Sequence, residues 1–485
     1  MVGPRAGDGA GGESAEDPMI RAMSSRPFFA VPALCTFAVL VACGSPPADS
    51  PAHYGRADEP LAGQIYELAQ NALRDHPAPG ISIGVQRGGE VVFAGGFGYA
   101  DLENEVPATA DTVYRIGSVT KQFTAAAAML LVEEGKLDLS ADLREYLPDY
   151  DTQGFEVPVE RLLNHTSGIK GYTEMPEFWE RSRLDLGHEA MLELFSEPPF
   201  EFEPGDRYQY NNSGYYLLGV LIERLSGMSY TEFLEARLFG PLGLERTHYL
   251  RNGPLVPGRA EGYEVGEDGG FVNDEPLSME LPYAAGSMGA SVLDLLAWQR
   301  ALASGQAVSP AGYERMTARG SLVNEDPVHY GYGLGISEEH GLAKISHGGG
   351  INGFRAELAL YPEEDLGIAV LINSGSGRPG LLENRIARAA LGMEQLVVNE
   401  IEVSEAELRR CAGTYNPGRG PVTLRFEDGA LFGFGERLVP VGEGVFHPDG
   451  DPFTRIVCES GPEDSAPALT LTSGGVTTRY PRVSD

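Results

Sequence analysis

The sequence predicts an α+β fold, an α/β sandwich in which one antiparallel sheet is flanked by helices beside an all-helical region. Strand-type segments lie near residues 80–98 and again near 342–373, at the two ends of one long region. Helical patterns dominate between them. From about Val398 onward, short alternating segments separated by Asp-Gly turns predict a small, separate all-β domain at the C-terminus.

Length and composition limit the possible function classes. The chain has 485 residues, 42% of them hydrophobic, which suggests two or three units with a large core. A net charge of −34 argues against nucleic acid as a partner, because phosphate contacts need a basic surface. The four cysteines and nine histidines show no zinc-type spacing, so we expect no zinc site of the usual kinds.

The first 43 residues predict an export leader. Arg21 and Arg26 precede an apolar run, Phe28–Ala42, which is short for a membrane span and suits a signal peptide. The run ends in Leu-Val-Ala-Cys, which resembles a bacterial lipobox and implies cleavage before Cys43 and lipid attachment there. An ordinary signal peptide with an unrelated cysteine is the alternative. Residues 44–59 form a Pro/Ala/Ser-rich linker. We therefore expect a protein exported and lipid-anchored to a bacterial membrane, facing the periplasm or the exterior.

The next segments predict a helix and a hairpin. Leu61–His76 has a helical period, and Gly80–Gly98 reads as two strands around a Gly-Gly turn. Ser82 lies in a formal Gly-x-Ser-x-Gly pattern within this hairpin. A nucleophile elbow places that serine between a strand and a helix. Here a second strand follows, so we interpret Ser82 as an ordinary strand residue.

The Ala-rich stretch Tyr114–Lys136 predicts a turn followed by a long apolar helix that Gly135 ends. Ser118 and Lys121 lie at its start, three residues apart and so on one face. Backbone N–H groups are unpaired at this end, and the helix dipole favours negative charge there. A hydroxyl, a potential base and an anion-favouring helix end are parts of an acyl-transfer site. Since the whole chain has only four lysines, a lysine here is less easily explained as a surface residue.

A second Ser-x-x-Lys pattern joins Ser167 to Lys170. Gly168 and Gly171 break any helix there, so the two side chains would not share a face, and we discount the pattern. Farther along, a Pro-Gly turn leads to Tyr210-Asn211-Asn212, after which an amphipathic helix begins and runs to Gly227.

The last third of the chain predicts strands. Leu342–His347 runs into three glycines, Phe354–Tyr361 and Ile368–Asn373 follow, and a helix at Leu381–Leu391 closes a domain that we place at 60–395. We expect these strands and the early hairpin to form one sheet. Residues 396–485 form the small all-β domain. It contains Cys411 and Cys458, which can pair in an oxidising compartment.

Three motifs occur in one order: Ser118-Val119-Thr120-Lys121, Tyr210-Asn211-Asn212 and His347-Gly348-Gly349-Gly350. They resemble the active-site elements of the serine β-lactamase and penicillin-binding-protein superfamily, most closely its class C β-lactamase branch with D-alanyl-D-alanine carboxypeptidases and esterases. Leu162–Gly168 (LLNHTSG) and Gly214–Gly219 (GYYLLG) also look like that branch. The resemblance covers about Leu61 to Leu391 and implies a β-lactamase/transpeptidase-like fold and a serine hydrolase.

The resemblance implies roles for the first two motifs. Ser118 would attack a carbonyl and form an acyl-enzyme, which requires a neighbour to take its proton. Lys121 can do so only when neutral, and burial would lower its pKa. Tyr210 would shuttle protons, and either Lys121 or Tyr210 can be the base. Asn212 would orient Lys121 and the substrate. No metal or cofactor is required.

The third motif would form the opposite wall of the site. The backbone N–H groups of Ser118 and Gly350 would make the oxyanion hole, with His347 and Gly349 binding substrate. His347 stands where the family often has lysine. A lysine offers a permanent charge to a substrate carboxylate, whereas a histidine is mostly neutral at pH 7. The same replacement occurs in carboxypeptidase and esterase members.

One further pattern is excluded by its position. Glu160-Arg161-Leu162-Leu163-Asn164 matches the Glu-x-x-Leu-Asn of class A β-lactamases, where it follows the second motif, but here it precedes that motif. Glu160 is therefore expected to be structural. The substrate candidates, in order, are a D-amino-acid peptide from cell-wall material, a small ester and a β-lactam. The competing hypothesis is a non-catalytic protein that keeps the fold and binds cell-wall fragments.

Overall fold

A computed structural model describes residues 59–417, 421–461 and 465–483. Cys43, the leader and residues 44–58 of the predicted linker lie outside these residues, whereas Glu59 begins the first helix. Over the described ranges, no helix combines the length and apolarity that a membrane crossing requires.

The helices of the described residues are numbered in chain order. They are α1 (Glu59–Asp75), α2 (Thr120–Glu133), α3 (Leu143–Tyr146), α4 (Glu160–Leu163), α5 (Pro176–Glu180), α6 (His188–Ser196), α7 (Asn212–Ser226), α8 (Tyr230–Leu234), α9 (Gly240–Leu242), α10 (Val292–Ala303), α11 (Pro310–Thr317), α12 (Pro379–Ala390) and α13 (Glu405–Cys411).

The strands are numbered in the same way. They are β1 (Gly80–Arg87), β2 (Glu90–Asp101), β3 (Val106–Pro107), β4 (Tyr114–Arg115), β5 (His248–Tyr249), β6 (Tyr263–Val265), β7 (Phe271–Asn273), β8 (Met288–Ala290), β9 (Gly320–Ser321), β10 (Pro327–Val328), β11 (Gly335–Glu339), β12 (Leu342–Ile351), β13 (Phe354–Tyr361), β14 (Leu366–Ile372), β15 (Gly413–Tyr415), β16 (Val422–Glu427), β17 (Ala430–Gly433), β18 (Glu436–Gly442), β19 (Val445–Pro448), β20 (Arg455–Cys458), β21 (Ala468–Ser473) and β22 (Val476–Pro481).

The main sheet has seven antiparallel strands in the order β11-β12-β13-β14-β1-β2-β3. Strand β1 pairs with β14, with Ile83 opposite Val370, so the early hairpin and the late strands form one sheet as predicted. Alternation along β1 separates two faces. Ile81 and Ile83 pack toward α1 and α12, while Gly84 lies against α10, where a Cβ would come within 2.9 Å of Leu296. The predicted sheet flanked by helices is confirmed.

Helix α2 lies at the centre of the domain, and this position explains why its residues are almost all apolar. Almost every side chain is buried, including Phe123, Met129 and Leu131, because it packs against α7 and other helices on one side of the sheet. A helix that is apolar all round is a buried helix. Small alanines allow the close packing, and Gly135, with φ +68°, ends the element as the sequence predicts.

The C-terminal unit is a closed barrel with one added helix. Strands β15 to β22 pair in sequence order, and the ends meet where Tyr415 pairs with Arg482. The all-β prediction lacked α13, which precedes the barrel. This helix has a Ser404 cap on its first turn and places Cys411 5.8 Å, between Cα atoms, from Cys458, with which it forms a disulfide.

The barrel docks on the edge of the main sheet. The β21–β22 turn accepts a hydrogen bond at Gly474 from the backbone of Glu338 on the edge strand β11. Arg378, just before α12, contacts Glu436 at 2.8 Å and Asp451 at 3.1 Å in the barrel. Covering an edge strand in this way protects it from pairing with another chain.

Candidate active site

Ser118 lies in a single 3₁₀ turn, Gly117–Val119, that precedes α2. The sequence predicts a regular helix start here, and the difference has a steric cause. Gly117 has φ +49°, and a Cβ at this position would lie 2.9 Å from the backbone nitrogen of Gly350. The turn is therefore pressed against β12, a position that only glycine fits.

Lys121, the second residue of α2 and one turn beyond Ser118, is fully buried. Its Nζ lies 3.1 Å from Ser118 Oγ, 2.8 Å from Asn212 Oδ1 and 2.8 Å from the carbonyl oxygen of Ala285. Among the described residues no carboxylate is bonded to it. Burial without an opposing charge lowers its pKa well below the ordinary value, because desolvation penalises the ammonium.

These three contacts match a neutral amine. The amide oxygen of Asn212 and the carbonyl of Ala285 can only accept hydrogen bonds, and they take the two N–H donors of a neutral Lys121. In that neutral state the lone pair of Nζ would face Ser118 Oγ, 3.1 Å away, and the serine hydroxyl would donate to it. The arrangement therefore places a proton acceptor on the nucleophile.

Asn212 is held in its orientation by its neighbours. Asn211 caps α7 by accepting a hydrogen bond from Gly214 N at 2.8 Å, which puts Asn212 in the first turn of that helix. The Nδ2 group of Asn212 donates to Thr173 Oγ1 at 3.1 Å. With the amide nitrogen bonded there, the amide oxygen faces Lys121.

Tyr210 packs its ring beside the base, with Lys121 Nζ 4.8 Å from the ring centroid and the His165 ring 4.2 Å away. Among the described residues its buried hydroxyl meets no partner in ordinary hydrogen-bond geometry. Burial raises its pKa, and the nearby Ser118 hydroxyl offsets the rise only in part. Tyr210 is thus a neutral phenol that can donate a hydrogen bond, and we expect Lys121 to be the better base of the two.

Backbone groups of Ser118 and Gly350 face the same cleft. The neighbouring Gly349 is buried, and a Cβ on it would lie 1.9 Å from the carbonyl oxygen of Ile116. Strand β12 therefore approaches the nucleophile turn closely enough for an oxyanion hole made of two N–H donors. Gly349 makes that approach possible and does not itself line the cleft.

His347 also lies behind the cleft wall. Its Nε2 accepts a hydrogen bond from the Tyr330 hydroxyl at 2.7 Å, and its Nδ1 donates to the carbonyl of Gly348 at 2.6 Å. Burial lowers the pKa of His347 well below its ordinary value, so the ring is neutral. We expected His347 and Gly349 to contact substrate directly. Their positions do not support this expectation, because both lie on the buried side of β12 and neither lines the cleft.

The cleft itself is open to solvent, and its volume is about 90 Å³. None of the described residues that line it carries a charged side chain. The lining residues are Gly117, Ser118, Tyr172, Thr173, Phe178, Trp179, Asn212, Leu277, Pro282, Ala285, Gly286, Gly350, Ile351 and Asn352.

The three discounted patterns have other roles. Ser82 is buried in β1 and bonds the carbonyl of Thr109 at 2.7 Å. Lys170 pairs with Glu174 and Glu201, away from Ser167. Glu160 accepts a hydrogen bond from Tyr332 at 2.6 Å, which makes it structural.

Sequence reasoning missed four contributors to the site: Thr173, Tyr330, the carbonyl of Ala285 and the ring of His165. Each reaches the site through contacts between distant parts of the chain, such as the separation of 164 residues between Lys121 and Ala285. Only His165 carried a signal, as part of the LLNHTSG segment.

Comparison with known proteins agrees with this geometry. The β-lactamase family model matches residues 66–392. The chain is 28% identical to a D-aminopeptidase of Gluconobacter oxydans, over 74% of this chain and 67% of that one. It is 31% identical to penicillin-binding protein 4* of Bacillus subtilis, over 56% and 63%. The chain thus spans about two thirds of the length of these curated relatives.

Solved structures extend the likeness to both domains. An octameric penicillin-binding-protein homologue from Pyrococcus abyssi aligns with a TM-score of 0.62 and 26% identity, over 87% of this chain and 96% of that one. A D-amino acid amidase from Ochrobactrum anthropi aligns with a TM-score of 0.61 and 25% identity, over 68% and 99%. The chain therefore belongs to the β-lactamase family, within the serine β-lactamase and penicillin-binding-protein superfamily of serine hydrolases.

Proposed function

We propose that this protein is an exported serine amidohydrolase that cleaves amides of D-amino acids through an acyl-Ser118 intermediate. The observation that carries the proposal is Lys121, buried without a carboxylate partner among the described residues and with its Nζ 3.1 Å from Ser118 Oγ. Small esters are the second substrate class and β-lactams the third.

The acylation step follows from the positions of the donors and acceptors. Ser118 Oγ attacks the carbonyl carbon of the substrate while Lys121 takes the hydroxyl proton. The backbone N–H groups of Ser118 and Gly350 stabilise the resulting oxyanion. The proton held by Lys121, relayed through the neutral phenol of Tyr210, then passes to the departing amine as the C–N bond breaks.

Deacylation uses the same groups, with a water molecule in place of the Ser118 hydroxyl as the nucleophile. Water attacks the ester carbonyl of acyl-Ser118, and Lys121 accepts a proton from that water. The Ser118 oxygen leaves and is reprotonated, which releases a carboxylic acid and restores the hydroxyl. The balance is one amide and one water consumed, with one acid and one amine produced.

The neutral cleft narrows the substrate class. A free carboxylate next to the scissile bond would lose its hydration and find no charged side chain among the described lining residues. His347, neutral and bonded to Tyr330, supplies no positive charge either. The Arg355 guanidinium lies beside Gly350 but does not line the cleft, so amides are favoured over D-alanyl-D-alanine peptides with a free C-terminus. The names of two relatives, D-aminopeptidase and D-amino acid amidase, support the same class.

A side-by-side assay tests the proposal. We expect D-amino acid amides to be hydrolysed faster than a D-alanyl-D-alanine peptide or nitrocefin, with a p-nitrophenyl ester between them, and Ser118→Ala to be inactive. Faster turnover of nitrocefin or of the free-carboxylate peptide would overturn the proposed order. If a fluorophosphonate probe labels the wild type and Ser118→Ala equally, or neither, the non-catalytic binding hypothesis replaces this one.

Export and lipid anchoring form the second part of the proposal. The Cys411–Cys458 disulfide supports it, because disulfides persist in oxidising compartments outside the cytosol. We expect the wild type to sediment with bacterial membranes and Cys43→Ala to be released into the soluble fraction. Equal sedimentation of the two proteins would contradict lipid attachment at Cys43.

A further inference from the structure

The wall of the catalytic cleft carries an exposed indole. Trp179, in α5, is 50% exposed, although large aromatic side chains are normally buried. The other tryptophan, Trp298, is fully buried against Phe123 in the core. No packing requirement within the described residues explains the exposure of Trp179, and its position among the cleft-lining residues suggests a binding role.

The indole is held in a fixed orientation. Its Nε1 donates a hydrogen bond to the carbonyl of Thr173 at 3.0 Å. Its ring meets Phe178 edge to face, with centroids 5.1 Å apart, and Phe178 in turn packs 4.9 Å from Tyr172. A ring fixed on two sides loses little entropy when a ligand packs on the remaining exposed side.

The rest of this part of the cleft is apolar. Leu277, Pro282 and Ile351 line it together with Phe178 and Trp179. An aromatic or large aliphatic group placed here would bury its own surface and the exposed indole surface together.

The same wall is bonded to the catalytic groups. Thr173 accepts the Trp179 hydrogen bond at its carbonyl and the Asn212 hydrogen bond, 3.1 Å long, at its hydroxyl. Asn212 in turn accepts from Lys121. A side chain bound against Trp179 therefore lies next to the segment that orients the base.

We propose that Trp179, with Phe178 and Leu277, forms an aromatic subsite that selects substrates with an aromatic or large aliphatic group beside the scissile carbonyl. This inference deepens the proposed function by naming the side-chain class of its substrates. The group can belong to the acyl residue or to the leaving amine, and the two sources are distinguished by the test.

A kinetic series tests the subsite. We compare D-phenylalanine amide, D-alanine benzylamide and D-alanine amide on the wild type, Trp179→Ala and Trp179→Phe. Trp179→Ala should lower kcat/KM about tenfold for one aromatic substrate and leave D-alanine amide unchanged, with Trp179→Phe between. The substrate whose rate falls shows whether the bound group lies on the acyl side or the amine side of the scissile bond. Phe434→Ala, which removes an exposed aromatic in the barrel, is the matched control and should change no rate.

An equal loss on all three substrates, or no loss on any, would overturn the subsite. Fluorescence gives an independent readout, because the full chain has two tryptophans and only Trp179 of the two is exposed. In Ser118→Ala, saturating D-phenylalanine amide or D-alanine benzylamide should protect the emission from acrylamide quenching, and D-alanine amide should not.

The two proposals fail in different ways. Unchanged quenching with both aromatic compounds would refute the subsite even where hydrolysis is normal. If the wild type hydrolyses no amide, the proposed function fails, while the quenching result still decides whether Trp179 binds an aromatic group.

Discussion

The molecule buries two lysines in opposite electrostatic surroundings. Lys121, in α2, meets only neutral acceptors, and burial lowers its pKa well below the ordinary value. Lys344, in β12, is buried as deeply but forms an ion pair with Glu383, which also accepts a hydrogen bond from Tyr361 at 3.0 Å. The pKa of Lys344 is raised, because the attraction of Glu383, together with that of the nearby Glu357 and Glu339, outweighs desolvation.

The difference shows that burial alone does not make a lysine a base. The pKa of a buried amine falls only when no carboxylate compensates for the lost hydration of the ammonium. Lys344 stays an ammonium and holds β12 to α12, while Lys121 is available to accept the Ser118 proton. In the proposed mechanism, Lys344 therefore stabilises the fold and Lys121 accepts a proton. Substitutions at Lys344 should reduce stability, and substitutions at Lys121 should reduce activity.

The largest expected effect is on catalysis at the first lysine. Lys121→Met should reduce acylation of Ser118 about 10³- to 10⁴-fold, because the proton acceptor is lost. The fold should persist, since no buried charge is left unpaired. Burst kinetics with a p-nitrophenyl ester and thermal unfolding measure the two quantities. A variant that retains acylation would remove Lys121 from the mechanism.

The second lysine should show the reverse behaviour. Lys344→Met leaves the buried Glu383 carboxylate without its partner and should lower the free energy of unfolding by about 3–5 kcal/mol. Activity per folded molecule should be unchanged. The double variant Lys344→Met/Glu383→Gln removes the stranded charge and should recover most of the stability in urea unfolding. No recovery would show that the ion pair is not the cause.

A third substitution converts the surroundings of the first lysine into those of the second. Asn212→Asp places a carboxylate about 2.8 Å from Lys121 Nζ without changing side-chain size. The ammonium is then stabilised, so the pKa of Lys121 rises and activity at pH 7 should fall about 100-fold. Asn212→Ala is the control, because it removes the hydrogen bond without adding charge. Equal losses in both variants would argue against a charge effect.

Much of this site could be predicted from the sequence because its first parts are local. Ser118 and Lys121 are one helical turn apart, and Asn212 opens a helix whose cap and end are visible in the chain. The 3₁₀ turn at Ser118 was not visible, since it depends on how closely β12 approaches Gly117.

The neutrality of Lys121 and the position of His347 depend on long-range packing. Sequence indicates a lysine and a histidine but not whether a carboxylate lies beside them, which is why the two lysines look alike in the chain. In the barrel, alternating segments around Asp-Gly turns predicted the all-β character, whereas α13 was not predicted.

The most direct test of the account is the pH dependence of Ser118 acylation in the wild type, measured by pre-steady-state burst with a p-nitrophenyl ester. The base must be neutral to act, and burial lowers its pKa well below the ordinary lysine value, so the rate should reach its plateau at a pH well below that value. It should fall about tenfold for each pH unit below the lowered pKa. In Asn212→Asp the inflection should move to higher pH. A wild-type rate that keeps rising to an inflection near the ordinary lysine pKa, about 10.4, would show that Lys121 is protonated at rest and contradict the account.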